Sequence, residues 1–108
     1  MRAYELMVIF ESGLDDLVID DQVKSVTTQI GTRGGTVAST DRWGRRRFAY
    51  EIDHKTEGYY VVWEFVGGSE LAQLERALRL ADEIVRHKLF RLPDREAARR
   101  GYLATAAS

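Results

Sequence analysis

The sequence predicts an α+β fold with one four-stranded antiparallel sheet and two helices on one of its faces. Hydrophobic periodicity gives the order strand, helix, strand twice in succession, and the glycine pairs Gly34-Gly35 and Gly67-Gly68 interrupt the two repeats. The chain has 108 residues, of which 44% are hydrophobic, and this length is enough to build one folded core. The sequence therefore predicts a single globular domain and excludes a fibrous or wholly disordered chain.

The first strand is predicted over Ala3–Glu11, where alternate residues lie on opposite faces. Both faces are apolar beyond Leu6. A strand with one face in water alternates more cleanly between apolar and polar residues. We therefore expect something to cover the second face of this strand.

The first helix is predicted to begin after the N-cap Asp15 and to end at Gly31 and Gly34-Gly35. Apolar residues at spacings of four, three and four give it one buried stripe. These residues are Ile19, Val23, Val26 and Ile30.

The middle of the chain is predicted to form a hairpin. Thr36–Asp53 is β-like, and Gly44 is predicted to mark a bulge that bends this long strand. Asp53–Glu57 is polar and is predicted as the hairpin loop. Gly58–Val66 follows as the most β-prone stretch of the chain.

The second helix is predicted from the N-cap Ser69 to a point near Ala81. The last strand is predicted over Asp82–Leu92, and Pro93 ends it. The apolar stripe of the helix is formed by Leu71, Leu74 and Leu78.

The resulting order β-α-β-β-α-β is the ferredoxin-like split βαβ arrangement. We predict that this domain spans residues 1–92 and that residues 93–108 form a C-terminal tail. The tail is either frayed or a short helix that forms on a partner. One face of the sheet carries no helix, so either polar residues or a partner must cover it.

The charge of the chain is balanced overall and uneven along its length. Lysines and arginines number 16 and acidic residues 17, so the net charge is -1. Residues 86–108 carry 6 basic and 2 acidic groups, and residues 42–60 carry 5 basic and 3 acidic groups. If these two segments meet in space, they form one cationic patch of the kind that binds nucleic acid.

Residue types that carry catalysis are sparse. The chain has no cysteine, His54 and His87 are its only histidines, and neither belongs to a metal-binding or nucleophile motif. His54 is interpreted as a solvated turn residue. The apolar run Leu6–Phe10 is too short to span a membrane or to form a signal-peptide core. The sequence predicts a protein that is not an enzyme, holds no cofactor or metal, has no small-molecule substrate and does not enter a membrane.

Three consecutive arginines follow Gly44. Adjacent residues of a strand point to opposite faces, so Arg45 and Arg47 can face outward together and bind phosphates, whereas Arg46 shares the face of Phe48. A solvated strand edge is the alternative interpretation.

The aromatic strand Tyr59–Phe65 fits the RNA-recognition motif poorly, so packing in the core or at a protein interface is favoured for it.

The run Gly44–Ile52 resembles the signature of the bacterial small-subunit ribosomal protein S-six (S6) family, which reads Gly, any, basic, polar, Leu, Ala, Tyr, any, Ile. The segments Met1–Glu5, Gly58–Tyr60 and Val85–Arg91 are also similar to that family. The resemblance covers residues 1–92.

The sequence departs from the family pattern at three positions. Phe48 replaces the usual Leu, Glu51 stands where Pro is common, and Asp53 stands where a basic residue is common. The substitution at Asp53 argues against a phosphate contact at that position.

The resemblance implies the ferredoxin-like fold and a role in the cytoplasmic ribosome. Members of the family bind small-subunit ribosomal RNA in the platform, together with ribosomal protein S-eighteen (S18). The candidate phosphate contacts are Arg2, Arg45, Arg47, Arg86, Lys88 and Arg91. The candidate contacts to the partner protein are Tyr4, Met7, Ile9, Tyr59 and Trp63.

A second function class also fits the uncovered apolar face. In it, the chain is a homodimeric ferredoxin-like module whose two open sheet faces pack together and bind a small ligand or effector. No set of polar groups converging on a pocket supports this alternative, and a metabolic enzyme has still less support.

Overall fold

The computed structural model describes residues 2–52 and 54–102. It contains one antiparallel sheet with the strand order β2-β3-β1-β4. This topology confirms the predicted α+β fold. The elements are β1 (Ala3–Glu11), α1 (Asp16–Thr32), β2 (Gly35–Ile52), β3 (Lys55–Gly67), α2 (Leu71–Leu80), β4 (Ile84–Arg91) and α3 (Asp94–Arg99).

The core lies between the sheet and the helices α1 and α2. Leu6 and Val8 of the central strand β1 pair with Trp63 and Val61 of β3, and all four are fully buried. The helices cover these strands with the predicted stripes, of which Ile19, Val26, Ile30, Leu74 and Leu78 are fully buried. Complete burial of such aliphatic and aromatic side chains stabilises the fold by roughly 1.5–3 kcal/mol each.

The start of α2 differs from the prediction. The N-cap is Glu70, in the left-handed conformation with φ 55°, and not Ser69. Both the backbone N–H and the hydroxyl of Ser69 donate to the carbonyl of Arg33, at 2.8 and 3.3 Å. Ser69 therefore joins the start of α2 to the end of α1, and it precedes the N-cap position by one residue.

The hairpin of β2 and β3 is longer than predicted. Ile52 pairs with Lys55, so the predicted loop Asp53–Glu57 is wrong for its last three residues, which belong to β3. His54 is a turn residue with φ 64°, as interpreted from the sequence, and Asp53 lies outside the described residues. β1 ends its pairing with β3 at Glu11, opposite Gly58. The segments 47–52 and 54–57 therefore extend beyond the rest of the sheet, and we call them the arm.

Gly44 marks a β-bulge, as the sequence predicts. The register between β2 and β3 shifts between Arg42 and Gly44, and Gly44 has a φ of 86° that favours glycine. Two further shifts lie between Val37 and Ser39 and, within the arm, between Arg47 and Ile52. These bulges let β2 bend along its 18 residues.

The described part of the C-terminal tail folds on this chain. Ala97 of α3 is fully buried, and it belongs to a small apolar cluster with Ala3 and Leu92. The Tyr102 hydroxyl donates to the Glu64 carboxylate at 2.8 Å, and Arg100 forms an ion pair with the same carboxylate. The helix therefore needs no partner to form. Residues 103–108 lie outside the described residues.

None of the helices in the described ranges is long and apolar enough to cross a membrane.

Candidate interface on the open face of the sheet

The face of the sheet that points away from α1 and α2, here the open face, is organised in rows across the strands. β1 presents Ala3, Glu5, Met7 and Ile9 to it, because these residues alternate with the core residues Leu6 and Val8. The Glu5 row contains Ser39, Glu64 and Phe90, the Met7 row contains Asp41, Val62 and Lys88, and the Ile9 row contains Gly44, Tyr60 and Arg86.

The character of the open face changes from row to row. α3 packs on the Ala3 row. Glu5 and Glu64 are directly opposed in the next row, and Arg100 neutralises one of the two carboxylates. Lys88 and Arg86 then follow on β4, nearer the arm. The open face therefore carries two opposed carboxylates in the row beside α3 and two cations nearer the arm.

The surroundings of β1 on the open face explain why its residues on that side are also apolar. Ile9 is only 6% exposed there, and Met7 is half-buried. Both residues line a hollow of about 310 Å³, whose walls include Ile52, Tyr60 and Phe90 and whose rim includes Arg86 and Lys88. The expected cover is thus provided in part by α3 and the hairpin, and a hollow is left between them.

Arg45 is held by its own chain. Its guanidinium donates to the carbonyls of Ser12 and Leu14, both at 2.9 Å, and it lies over the ring of Tyr59 at 5.4 Å. Arg45 pairs with Tyr59, so it projects on the side of the sheet that faces the helices. The interpretation that Arg45 faces outward to bind phosphates is therefore not supported by the geometry.

Arg42 is held in a similar way on the same side of the sheet. Its guanidinium donates to Asp20 at 2.7 Å and to the hydroxyl of Tyr59 at 3.1 Å. The hydrogen bond to Asp20 raises the pKa of Arg42 above its ordinary value, and the bond to Tyr59 adds to this effect. Two arginines of β2 thus fasten the hairpin to α1 and to the loop after β1.

Arg46 lies on the open face among aromatic rings. Its guanidinium is 5.0 Å from the centre of the Trp43 ring, a cation–π arrangement. Trp43 stacks on Tyr60 with ring centres 6.1 Å apart, and Phe48 meets Tyr60 edge-on at 6.2 Å. The face that Arg46 shares with Phe48 is therefore the open face.

The other predicted phosphate contacts fall into two groups. Arg47, Arg86 and Lys88 lie on or near the arm, are exposed, and make no ion pair among the residues that the structure describes. Arg2 and Arg91 lie near α3, where Arg91 pairs with Asp94 at 3.2 Å. Ile9 is the strand partner of Arg86, and Arg2 lies seven residues before Ile9. This separates Arg2 from the Arg86 row by about 23 Å along β1. The two groups do not form one patch.

The predicted partner contacts are also divided. Met7 and Ile9 lie on the open face, whereas Tyr4, Tyr59 and Trp63 belong to the face under the helices. Trp63 is fully buried, and its indole donates to the Thr27 hydroxyl at 2.9 Å. The prediction that Trp63 contacts a partner is therefore wrong.

Three aromatic residues of the open face were not predicted as site residues. Trp43, Tyr60 and Phe90 are all on this face, and Phe90 is 48% exposed. The signal in the sequence was the alternation of β1, which identifies Glu5 and Ile9 as open-face residues. Phe90 is the strand partner of Glu5, and Tyr60 is the strand partner of Ile9. That signal requires the pairing register, which the sequence alone does not provide.

Comparisons with known proteins show the family to which the chain is similar. The family model of ribosomal protein S6 matches residues 3–91. The small ribosomal subunit protein bS6 of Salinispora arenicola is 46% identical over 92 residues, which cover 84% of this chain and 96% of that protein. The bS6 protein of Carboxydothermus hydrogenoformans is 45% identical with the same coverage. These relatives are named as ribosomal proteins, in agreement with the prediction of a protein that is not an enzyme.

Solved structures give the same result. The crystal structure of the 30S ribosomal protein S6 from Thermotoga maritima matches with a TM-score of 0.84 and 34% identity, covering 93% of this chain and 95% of that one. A chain in the structure of the chemotaxis kinase CheA P2 domain in complex with the response regulator CheY, from the same organism, matches with a TM-score of 0.59 and 16% identity, which shows likeness of fold alone.

Proposed function

Because the chain belongs to the ribosomal protein S6 family and is a protein of the small ribosomal subunit, we propose that it binds small-subunit ribosomal RNA jointly with ribosomal protein S18. The proposed place is the platform of the subunit, in the ribosomes of a bacterial cytoplasm. The observation that carries the RNA part of the proposal is the pair of exposed cations Arg86 and Lys88 on the open face of β4.

These cations suit phosphate binding for two reasons. Arg86 and Lys88 are two residues apart on one strand and therefore project on the same face. Neither forms an ion pair with an acidic residue in the described ranges, so their charge is available to a ligand. Arg47 on the arm is a third available cation, and it projects from the same side of β2 as Arg45. Phosphate contacts of this kind position a protein on RNA without reading its sequence.

Arg2 and Arg91 are proposed as a second, weaker set of phosphate contacts near α3. Arg91 is already paired with Asp94, so a phosphate would have to compete with that carboxylate. Arg45 has no direct role in this proposal, because its guanidinium already binds two backbone carbonyls.

The open face supplies the proposed contact with S18. Met7 is half-buried at the centre of that face, and the acidic Glu5 row beside it complements a basic partner. Ile9 lies deeper and contributes to the floor of the contact. Tyr4 and Tyr59 lie on the helix side of the sheet, and they are proposed to act only through the packing of β1 and β3.

The RNA contact can be tested by salt-dependent binding. The complex of the chain with S18 is titrated with a platform RNA fragment at several salt concentrations. For Arg86→Ala with Lys88→Ala, we expect the slope of log affinity against log salt to fall by about 2, because two phosphate contacts are lost. The matched control is Arg76→Ala with Arg79→Ala, which removes two exposed charges from α2. Equal slopes for both double variants would contradict the proposed contact.

The protein contact can be tested without RNA. Met7→Lys places a charge at the centre of the open face, and we expect it to weaken association with S18 by at least tenfold in sedimentation or calorimetry. Leu80→Lys, at a residue of α2 that is 71% exposed, is the control and leaves the association unchanged. Sedimentation of the chain alone separates this proposal from the homodimer, because a tight homodimer that is disrupted by Met7→Lys would favour the alternative.

A further inference from the structure

A second hollow lies between the arm and the edge strand β4. It has a volume of about 320 Å³, which is near the lower end of the range for small-ligand sites, roughly 300–1,000 Å³. Its walls are residues of the arm together with one residue each from β3 and β4. They are Phe48, Ala49, Tyr50, Glu51, Ile52, Tyr60 and Arg86.

The most unusual residue of this hollow is Tyr50. Tyr50 is 84% exposed, although it is a large aromatic residue. Within the described part of the chain, its ring stacks on no other aromatic ring and its hydroxyl makes no hydrogen bond. Phe48 and Tyr60, in contrast, are fixed edge-on against each other at 6.2 Å. The hollow thus combines a fixed aromatic wall with the ring of Tyr50, which stacks on no other aromatic ring in the described part of the chain.

The charges beside the hollow restrict what it can hold. Arg86 is exposed and has no acidic partner among residues 2–52 and 54–102, so it can bind a phosphate at the rim. Glu51 also lines the hollow, and its carboxylate would repel a phosphate placed inside. A carboxylate does accept a hydrogen bond from the amino group of a base. The interior therefore suits a base, and the rim suits the phosphate attached to it.

We infer that this hollow receives one unpaired base of the ribosomal RNA, stacked on Tyr50, while Arg86 binds the adjacent phosphate. The inference rests on the proposed function. It adds a contact to a base, whereas the phosphate contacts of that proposal do not distinguish one RNA sequence from another. Single-stranded bases splayed out of a helix are the usual targets of aromatic side chains in RNA recognition. An aromatic side chain of a protein partner is the competing occupant, and the experiment below separates the two.

The test uses the full chain in complex with S18 and the platform RNA fragment. Tyr50→Leu keeps an apolar residue and removes the stacking surface, so we expect RNA affinity to fall by roughly 5- to 100-fold. The salt slope stays unchanged, because no phosphate contact is lost. Tyr50→Trp keeps a stacking ring and binds RNA within about threefold of the unaltered chain. Because Tyr50 is so exposed, both variants are expected to fold.

A scan of the RNA with abasic nucleotides identifies the stacked base. At one unpaired position, we expect loss of the base to weaken binding of the unaltered chain and to have no further effect on Tyr50→Leu. Unchanged RNA affinity for Tyr50→Leu would overturn the inference, as would weakened S18 association without RNA, which would place a protein side chain in the hollow. Absence of RNA binding by the unaltered chain with S18 would overturn the proposed function as well.

Discussion

Arg45 and Arg47 are two residues apart on β2, and their surroundings give them different tasks. Arg45 binds the carbonyls of Ser12 and Leu14 and lies over Tyr59. Arg47 lies beyond the helices, on the arm, where it is exposed. The sequence correctly indicates that the two share a side of the strand. It cannot show that the side is the one with the helices, because the bulge at Gly44 shifts the register between β2 and β3.

The different tasks of these arginines predict different effects of their removal. Arg45→Ala leaves two carbonyls without their charged donor, so we expect a loss of about 1 kcal/mol in the free energy of unfolding. Arg47→Ala leaves stability within about 0.5 kcal/mol of the unaltered chain. Urea denaturation of both variants measures the difference. Equal stability of the two variants would show that the carbonyl contacts of Arg45 have no net effect.

Gly58 shows how closely the hairpin packs on β1. A Cβ atom at this buried position would lie 2.4 Å from Ile9 Cγ2 and 3.0 Å from Phe48 Cζ. We expect Gly58→Ala to lower the free energy of unfolding by about 1–3 kcal/mol, because these apolar groups must move apart. Gly13→Ala is the control, since nothing lies within 4 Å of its added Cβ. A Gly58→Ala variant as stable as this control would contradict the close packing.

At the scale of secondary-structure elements, the sequence predicts those strands and helices whose apolar residues recur with a regular period. The bounds of β1 agree exactly with the prediction, and the stripes of α1 and α2 are buried as expected. The β3 side of the arm has the sequence of a loop, because Thr56 and Glu57 are exposed polar residues. The β2 side of the arm does alternate, with Phe48, Tyr50 and Ile52 on one face, and the sequence predicts it as a strand.

α3 is the element that the sequence left open, and its removal tests the predicted domain. A chain that ends at residue 92 loses the cover of Ala3 and Leu92 and the ion pair of Arg100 with Glu64. We expect it to fold cooperatively with a free energy of unfolding lower by about 1–2 kcal/mol, because the main core is untouched. Thermal denaturation followed by circular dichroism provides the measurement. Loss of the cooperative transition would show that α3 belongs to the domain itself.

The molecule as a whole is elongated, with extents of 48 × 27 × 23 Å. The arm accounts for much of this shape, because it continues the hairpin past the last pairing of β1 with β3. On the open face, the carboxylates of the Glu5 row and the cations near the arm occupy separate rows along the same direction. Net charge alone hides this separation, which explains how a chain with a net charge of -1 can present a basic surface.

The shape predicts uneven local stability. Arm amides pair only across the hairpin, and an isolated two-stranded ribbon is marginally stable. We expect amide hydrogen exchange in residues 47–52 to be at least about tenfold faster than at Val8 and Phe10 of the central strand. On the proposed binding of S18 and RNA, we expect exchange in the arm to slow while exchange in α2 stays unchanged. Exchange as slow in the free arm as in β1 would contradict this expectation.

The central place of β1 in the sheet also governs when the protein can fold during its synthesis. Both neighbours of this strand come later in the chain, and one of them, β4, is made after α2. A nascent chain therefore keeps the apolar strand Ala3–Glu11 incompletely paired until nearly the whole domain has left the translating ribosome. Pairing between such distant segments makes folding slower than in helical proteins of this size, and until it is complete the unpaired apolar strand is a site where chains can aggregate.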